Sequence, residues 1–501
     1  MDIIYVSYNS EKWIEKCFDS VLKSNFDLKT VSIVVVDNHS TDHSVEKLKE
    51  AKKKCEKELR SFEIVEADSN LGFGKANNLG VSRGTDDIVC FFNIDTEVYP
   101  DTLKNLDEDI RKSEKEFVLW ELRQFPYEHP KLYDALTHET SWSSGAAFAM
   151  RREIFEKVHG FDEAIFMYAE DVDLSWRVRS FGYKLKYVPK ATITHYAYAK
   201  AGEVKPNQYV NSIINNLLLR YRFGGWGAIL KGYELFARAY LKGQPFEGSR
   251  KLLRKRFWKH FTQIPHFLNR SYCGDKRKEV ALFLGFDYAP IRDGAFYVNE
   301  FPKEYPLVSI IVRTCGRPAV LRETLISLRE QTYPNIEVVV VEDGKNTAGE
   351  MIEKEFSDMN ILYYATGVNQ GRSKAGNKAM ELAHGEYLNF LDDDDLFYAD
   401  HVEVLVKTLE NSKNKAAYAF GFETPIEIKS KDPYVYEISD YRGVHKTKFD
   451  KIELCYHNYI PIQCIMFEKE LFEKYGGQDE TLDALEDWDM WVRYSLHTDF
   501  D

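Results

Sequence analysis

Two acidic clusters in the chain carry the types and spacing that metal-assisted chemistry needs. Asp392, Asp393, Asp394 and Asp395 follow the apolar pair Phe390-Leu391, and Asn93-Ile94-Asp95 follows Phe91-Phe92. Carboxylates at the end of an apolar strand are hard oxygen ligands, suited to Mg2+ or Mn2+ shared with phosphate oxygens. Such a cation neutralises a diphosphate leaving group. Four adjacent acids also repel one another, and a cation relieves the repulsion. The plainer reading is an acidic loop or a helix cap. Glu170-Asp171 and Glu486-Asp487 each open a helical pattern, where the helix dipole favours acids. Asp173 with Arg177, and Asp489 with Arg493, have the spacing of structural i,i+4 pairs. The recurrence of the Glu-Asp pair downstream of both clusters points to one acid acting as a general base toward a hydroxyl. His195 follows the strand-like run Ala191-Thr192-Ile193-Thr194. It reads as structural on its own, and as a further metal ligand if the fold brings it to Asp95.

These groups need strands and helices to place them, and the sequence supplies the same set twice. Ile3 to Asn9 and Val308 to Thr314 are short β-branched runs leading into helical patterns, Glu11 to Ser24 and Ala319 to Gln331. A second buried-type strand ends in an acid each time, Ser32 to Asp37 and Glu337 to Asp343. A Gly- and Asn-rich loop then opens a helix, Asn70 to Asn77 and Asn369 to Asn377. The third strand with its acids and the Glu-Asp helix complete the order, and the two copies recur at offsets of 299 to 316 residues. Strands alternating with helices predict parallel βαβ units. Open α/β sheets bind ligands at the carboxyl ends of their strands, where Asp37, Asp95, Asp343 and Asp394 all stand. The expected organisation is a first α/β domain over 1–204, a helical connector over 205–284, an extended tether over 285–305, and a second α/β domain over 306–501.

The composition excludes several classes. Of 501 residues, 44% are apolar and 29% charged, which rules out disordered, collagen-like and disulfide-scaffold chains. Seven scattered cysteines without a CxxC pair read as reduced thiols in a cytosolic protein. No basic leader with a cleavage site and no run of 18 apolar residues is present. A net charge of −13 disfavours nucleic-acid binding. Yet Arg220 to Lys278 carries 15 Lys/Arg against 3 Asp/Glu, a net +12, interleaved with aromatics as in Phe257, Trp258 and Phe261. That segregation suits contact with a membrane or a lipid-linked acceptor at the inner face of the cell membrane; the alternative is that these charges hold the acidic domains together. Asn70 to Asn77 lacks the third glycine of a dinucleotide fingerprint, and no GxxxxGK[ST] loop or Ser-His-Asp signature is present. The second copy has no counterpart of Leu185 to His195, so the chain is expected to be cut from a longer protein.

The five motifs in order resemble the family 2 glycosyltransferases of the GT-A fold, a Rossmann-like, mostly parallel sheet, over about 1–200 and again 306–501. The resemblance implies that Tyr8 and Asp37, and Thr314 and Asp343, hold the nucleobase. Asp392 and Asp394 match the family's Asp-x-Asp motif, which holds the ribose and the metal-bound diphosphate. The first copy has Asn93 in its place, leaving Asp95 as the ligand, a departure similar to the bacterial rhamnosyltransferase-like branch. Asn70, Lys75, Asn77, Arg372, Asn377 and Asp393 join the implied nucleotide-sugar sites. The family's base matches Asp171 and Asp487, and its later metal-binding histidine matches His195. Trp142 to Ala146, Gly160 to Glu163 and Gly476 to Glu480 resemble its acceptor-side segments. The chemistry implied by the resemblance is an inverting, metal-dependent transfer from UDP- or dTDP-sugars to a glycan or lipid-linked oligosaccharide acceptor, performed twice in one chain on a bacterial surface glycan. The alternatives are one active copy beside a binding or scaffold copy, and a sugar-phosphate nucleotidyltransferase, whose basic Gly-rich N-terminal loop is lacking.

Overall fold

The computed structural model describes residues 1–197, 204–242, 244–292, 301–439, 442–482 and 484–501. Residues 293–300 of the expected tether lie outside these. The described residues divide into two compact units, 1–292 and 301–501.

In chain order the first unit holds β1 (Asp2–Ser7), α1 (Ile14–Leu22), β2 (Ser32–Asp37), α2 (Ser44–Cys55), β3 (Ser61–Glu66), α3 (Phe73–Val81), β4 (Ile88–Asn93), β5 (Thr96–Val98), α4 (Thr102–Lys112), β6 (Phe117–Phe125), β7 (Glu139–Thr140), β8 (Ala147–Arg151), α5 (Arg152–Lys157), α6 (Glu170–Ser180) and β9 (Lys184–His195). The connector helices α7 (Pro206–Phe223), α8 (Trp226–Lys242) and α9 (Ser249–Leu268) follow. The strands form one sheet in the order β3-β2-β1-β4-β8-β6-β9-β5, with β7 beside β9. The first four are parallel, β8 runs antiparallel between β4 and β6, and β6 and β9 are parallel again. Helices on both faces explain why β2 is buried at every residue. Ile3, Tyr5, Ile33 and Val35 join one core and Ile4 and Val34 the other, as the alternation of a strand requires. Helix α1 starts at Ile14 rather than Glu11. Glu11 is used to close the next loop instead: its carboxylate accepts from the His43 amide and its own amide donates to Asp42.

The connector is welded to this unit. Arg222 of α7 is buried between Asp162 and Asp173, Asp173 also takes Arg177 at 2.7 Å, and His266 of α9 reaches Asp162 at 2.8 Å. Arg220 donates to Asn216, Ala228 O and Gly285 O. Residues 285–292 of the tether segment also lie against the unit, with Tyr288 packed on Trp142 and Trp176. Of the basic residues in the connector, Arg220 and Arg222 are therefore internal, which accounts for part of its charge.

The second unit has a six-stranded sheet whose order is 361–365, 336–342, 308–314, 387–390, 465–468, 416–418. Its first four strands are parallel and its fifth is antiparallel, as in the first unit. The two units correspond by register. The amide of Asn38 donates to Ser7 O and that of Asp343 to Thr314 O, so Ser7 corresponds to Thr314 and Asn38, not Asp37, to Asp343. Val6 faces Asn93, and Ile311 faces Phe390, which sets Asn93 at the place of Asp392 and Asp95 at that of Asp394.

Candidate active sites

The antiparallel pairing of β5 with β9 sets Thr96 opposite His195 and so brings the end of the chain's fourth strand to the end of its ninth. His195 Nε2 lies 3.6 Å from Asp95 Oδ1 and 3.5 Å from Asn93 Nδ2. Its Nδ1 is 2.9 Å from Gln124 Oε1. Gln124 accepts there, so Nδ1 carries the proton and the Nε2 lone pair turns to Asp95. Burial also pushes the His195 pKa down, which keeps the ring neutral. A neutral imidazole oriented by a second hydrogen bond, beside a carboxylate, is a donor set that fits a divalent cation. Among the described residues no three His, Cys, Asp or Glu side chains converge on one cation position. Asp95 and His195 would thus share the ion with oxygens from elsewhere, as Mg2+ and Mn2+ commonly require.

These two residues line a cavity of about 540 Å³ together with Asn93, Gln124, His129, Trp142, Gly145, Glu170, Asp171 and Tyr288. Asp171 is the second residue of α6, which opens at Glu170 after two left-handed residues, Tyr168 at φ 70° and Ala169 at φ 68°. Asp171 Oδ2 accepts from the Gly145 amide and Oδ1 from its neighbour Val172, each at 2.8 Å. Burial raises its pKa above the ordinary carboxylate value. Burial and the charge of Asp171 raise Glu170 well above its own. A carboxyl desolvated in this way gains affinity for a proton, the property that a general base needs. The facing segment is pinned by three successive amides: Ser143 on Ser175 Oγ at 3.0 Å, Ser144 on Glu121 at 2.9 Å, and Gly145 on Asp171. Glu121 is buried with Lys131, whose ammonium also donates to Trp142 O at 2.6 Å.

Six further residues of the site carry no mark in the sequence pattern. Glu121 and Gln124 were signalled only as polar residues inside the apolar run Phe117–Phe125, every position of which is buried. Lys205, Gln208 and Ser212, at the start of the connector, also line the cavity. Asn215 of α7 donates to the carbonyls of Met167 at 3.1 Å and Tyr168 at 2.7 Å, holding the turn that precedes Asp171.

The donor-side candidates are placed differently. Tyr8 is half exposed, and Asp37 is buried with Oδ2 accepting from the Ser40 amide. Asn70 accepts from the Gly72 amide at 3.0 Å and from Asn38. None of the three lines the cavity above. Lys75 pairs with Glu163 on the surface at 3.4 Å, and Arg372 is exposed. Asn77 turns back to Phe73 O within its own helix, so its amide is spent on structure. Asn377 is likewise spent: it brackets Gln478, accepting from its amide and donating to its carbonyl. The first-unit residue that does this is Asn78, which brackets Phe161, so Asn77 and Asn377 are not counterparts.

In the second unit the acids already have cations. Arg313 holds Asp392 with two parallel hydrogen bonds, at 2.8 and 2.7 Å, and Glu486 at 3.0 Å. Arg317 bridges Asp393 and Asp394, and Asp393 also accepts from Thr314 at 2.6 Å. Asp395 is half-buried, and desolvation together with three neighbouring carboxylates raises its pKa to about 7. The repulsion expected of four adjacent acids is met by two guanidinium groups, and Asp394, expected as a metal ligand, is engaged by Arg317; this donor set does not fit a cation site as it stands. Asp487 opens its helix after left-handed Leu485 and accepts from Asn458 at 3.1 Å.

A family model described as glycosyl transferase family 2 matches residues 2–174 and 309–476. An uncharacterized glycosyltransferase of Rickettsia typhi is 31% identical over 191 residues, 38% of this chain and 58% of that one. The putative glycosyltransferase EpsH of Bacillus subtilis is 37% identical over 123 residues, 24% of this chain and 36% of that one. The chain thus spans little more than half the length of the first of these relatives. A solved mannosyltransferase of Pyrobaculum calidifontis, in complex with GDP-Man and Mn2+, is 18% identical with a TM-score of 0.35, covering 53% of this chain and 71% of that one.

Proposed function

The chain belongs to glycosyl transferase family 2, and we propose that its two units are separate glycosyltransferases, each moving one sugar from a nucleotide-sugar donor to a hydroxyl of a growing bacterial surface glycan. The observation that carries the reading is the meeting of Asp95, His195 and Asp171 around one cavity in the first unit. The reaction we propose is an inverting single displacement. Asp171 takes the proton of the acceptor hydroxyl, whose oxygen bonds to the anomeric carbon. The bond from that carbon to the diphosphate breaks, and its electron pair leaves with the nucleoside diphosphate. Mn2+ or Mg2+, when bound by Asp95 and His195, supplies charge neutralisation for that leaving group. The Gly145 amide fixes the Asp171 carboxylate, and Trp142 with Tyr288 gives the cavity an aromatic wall of the kind that stacks on sugar rings. UDP- and dTDP-sugars are the proposed donors, with a rhamnosyl-type donor for the first unit because Asn93 replaces its first acid. Asp487 is the corresponding base of the second unit.

The second unit supports another reading as well, a copy that binds rather than transfers, because Arg313 and Arg317 already neutralise its acids. Assaying both transfers with Asp171→Asn and Asp487→Asn separates the two. Each change should lower one transfer by about 10²–10⁴-fold and leave the other intact. If Asp487→Asn changes nothing while the chain stays folded, the second unit is a binding copy. Loss of both activities from either change would overturn the two-site reading.

A further inference from the structure

Helix α9 has two unlike faces. Leu253, His260 and Phe267, seven residues apart, are buried, and Phe257 stacks on Phe236 of α8 with ring centroids 4.3 Å apart. The opposite stripe, at steps of three, four and seven, runs Lys251, Arg254, Lys255, Trp258, Phe261 and Leu268, and all of it is exposed. Trp258 is 65% exposed and Leu268 54%. Helix α8 adds Trp226, 81% exposed, and Leu230 one turn later. The buried arginines Arg220 and Arg222 are consumed by internal partners, but among the described residues Lys251, Arg254, Lys255 and Lys259 form no ion pair with any acid. A charge stripe serving solubility alone would be expected to mix signs and to lack large exposed rings. No helix among the described residues is long and apolar enough to cross a membrane.

We infer that this stripe docks the first unit on the surface of an anionic lipid bilayer. The basic residues meet the phosphate headgroups, and Trp258 and Phe261 enter the boundary between headgroups and acyl chains, where aromatic rings of amphipathic helices settle. The occupant is identified by charge complementarity together with the interleaved rings. The inference does not rest on the transfer chemistry, so its failure leaves the proposed function standing.

Flotation of the full chain with vesicles tests it. Wild type should float with vesicles of equal parts phosphatidylglycerol and phosphatidylcholine, and not with phosphatidylcholine alone. At roughly 1 kcal/mol for each basic residue near the surface, the triple change Arg254→Ser, Lys255→Ser, Lys259→Ser should weaken partitioning by about a hundredfold. Trp258→Ser with Phe261→Ser should weaken it as well, and wild-type tryptophan emission should shift to the blue on binding. All five positions are exposed or at the helix surface, and circular dichroism checks that the helix persists. Equal flotation of wild type and the triple variant, equal affinity for neutral vesicles, or tighter binding to a single-stranded oligonucleotide than to vesicles would each overturn the inference.

Discussion

Arg313 grips both oxygens of Asp392, whereas the first unit sets Val6 opposite Asn93 at the same register. A bidentate guanidinium–carboxylate pair is among the strongest charge-assisted contacts a side chain makes. The two copies therefore differ at this strand end, where the first has Asn93 in the place of Asp392. The first leaves Asp95 and His195 turned to one another, and the second closes its acids with arginines.

This difference predicts how many divalent cations the chain takes. Titration with Mn2+, followed by the loss of the free-ion electron paramagnetic resonance signal, should saturate at one ion per chain. Asp95→Asn or His195→Ala should abolish that binding, and Gln124→Ala should weaken it by about 10–100-fold through loss of ring orientation. Asp394→Asn should leave it unchanged. Saturation at two ions would show that Arg317 yields to a cation.

The raised pKa of Asp171 has two signatures of opposite sense. As a base it works only when deprotonated, so the first transfer should decline as pH falls, and the decline should begin above the range of an exposed aspartate. For stability the sign is the reverse. The folded pKa lies above the unfolded one, so stability falls as pH rises through that window and the cost persists at neutral pH. Asp171→Asn should thus lose most of the first transfer, and its melting temperature relative to wild type should be higher at neutral pH than in acid. Differential scanning fluorimetry across pH reads this directly; a variant that melts lower at neutral pH than in acid, relative to wild type, would contradict it.

Much of this arrangement was visible in residue order because it is local. A Glu-Asp pair opens a helix, acids follow a strand, and Asp173 with Arg177 or Asp489 with Arg493 closes one helical turn, at 2.7 and 2.8 Å. The one-residue offsets were not visible. Asp37 and Asp343 both end β-branched runs, but one stands at the last paired residue of its strand and the other just beyond. A shift of one turns a side chain to the opposite face of the sheet. Gln124, Glu121 and Asn215 were hidden for a different reason: each acts on a residue 23 or more positions away, through a hydrogen bond that only the fold creates.

Glu121 and Lys131 form a buried pair that holds Trp142 O and the Ser144 amide, and burial opposes the charge of each, raising one pKa and lowering the other. Removing a single partner strands a buried charge. Lys131→Met should cost about 3–5 kcal/mol of stability, and Lys131→Met with Glu121→Gln should recover most of it. Denaturant melts of both variants measure the difference. A double variant no more stable than the single one would mean that the pair acts through packing rather than charge.

Asn215 offers the sharpest test of the connector as part of the first active site. Tyr168 and Ala169 are left-handed without being glycine, a conformation that costs on the order of 1–3 kcal/mol per residue unless its surroundings hold it. The Asn215 amide, donating to Met167 O and Tyr168 O, is what holds it here. Asn215→Ala should leave two half-buried carbonyls without that donor, lower stability by about 1 kcal/mol, and slow the first transfer while leaving donor affinity and the second transfer unchanged. Ala169→Gly relieves the left-handed strain, because glycine adopts positive φ without a Cβ clash. Added to Asn215→Ala, it should restore stability but not rate, since a relaxed turn no longer aims Asp171. If the double variant regains both, strain alone explains the effect and Asn215 has no part in placing the base.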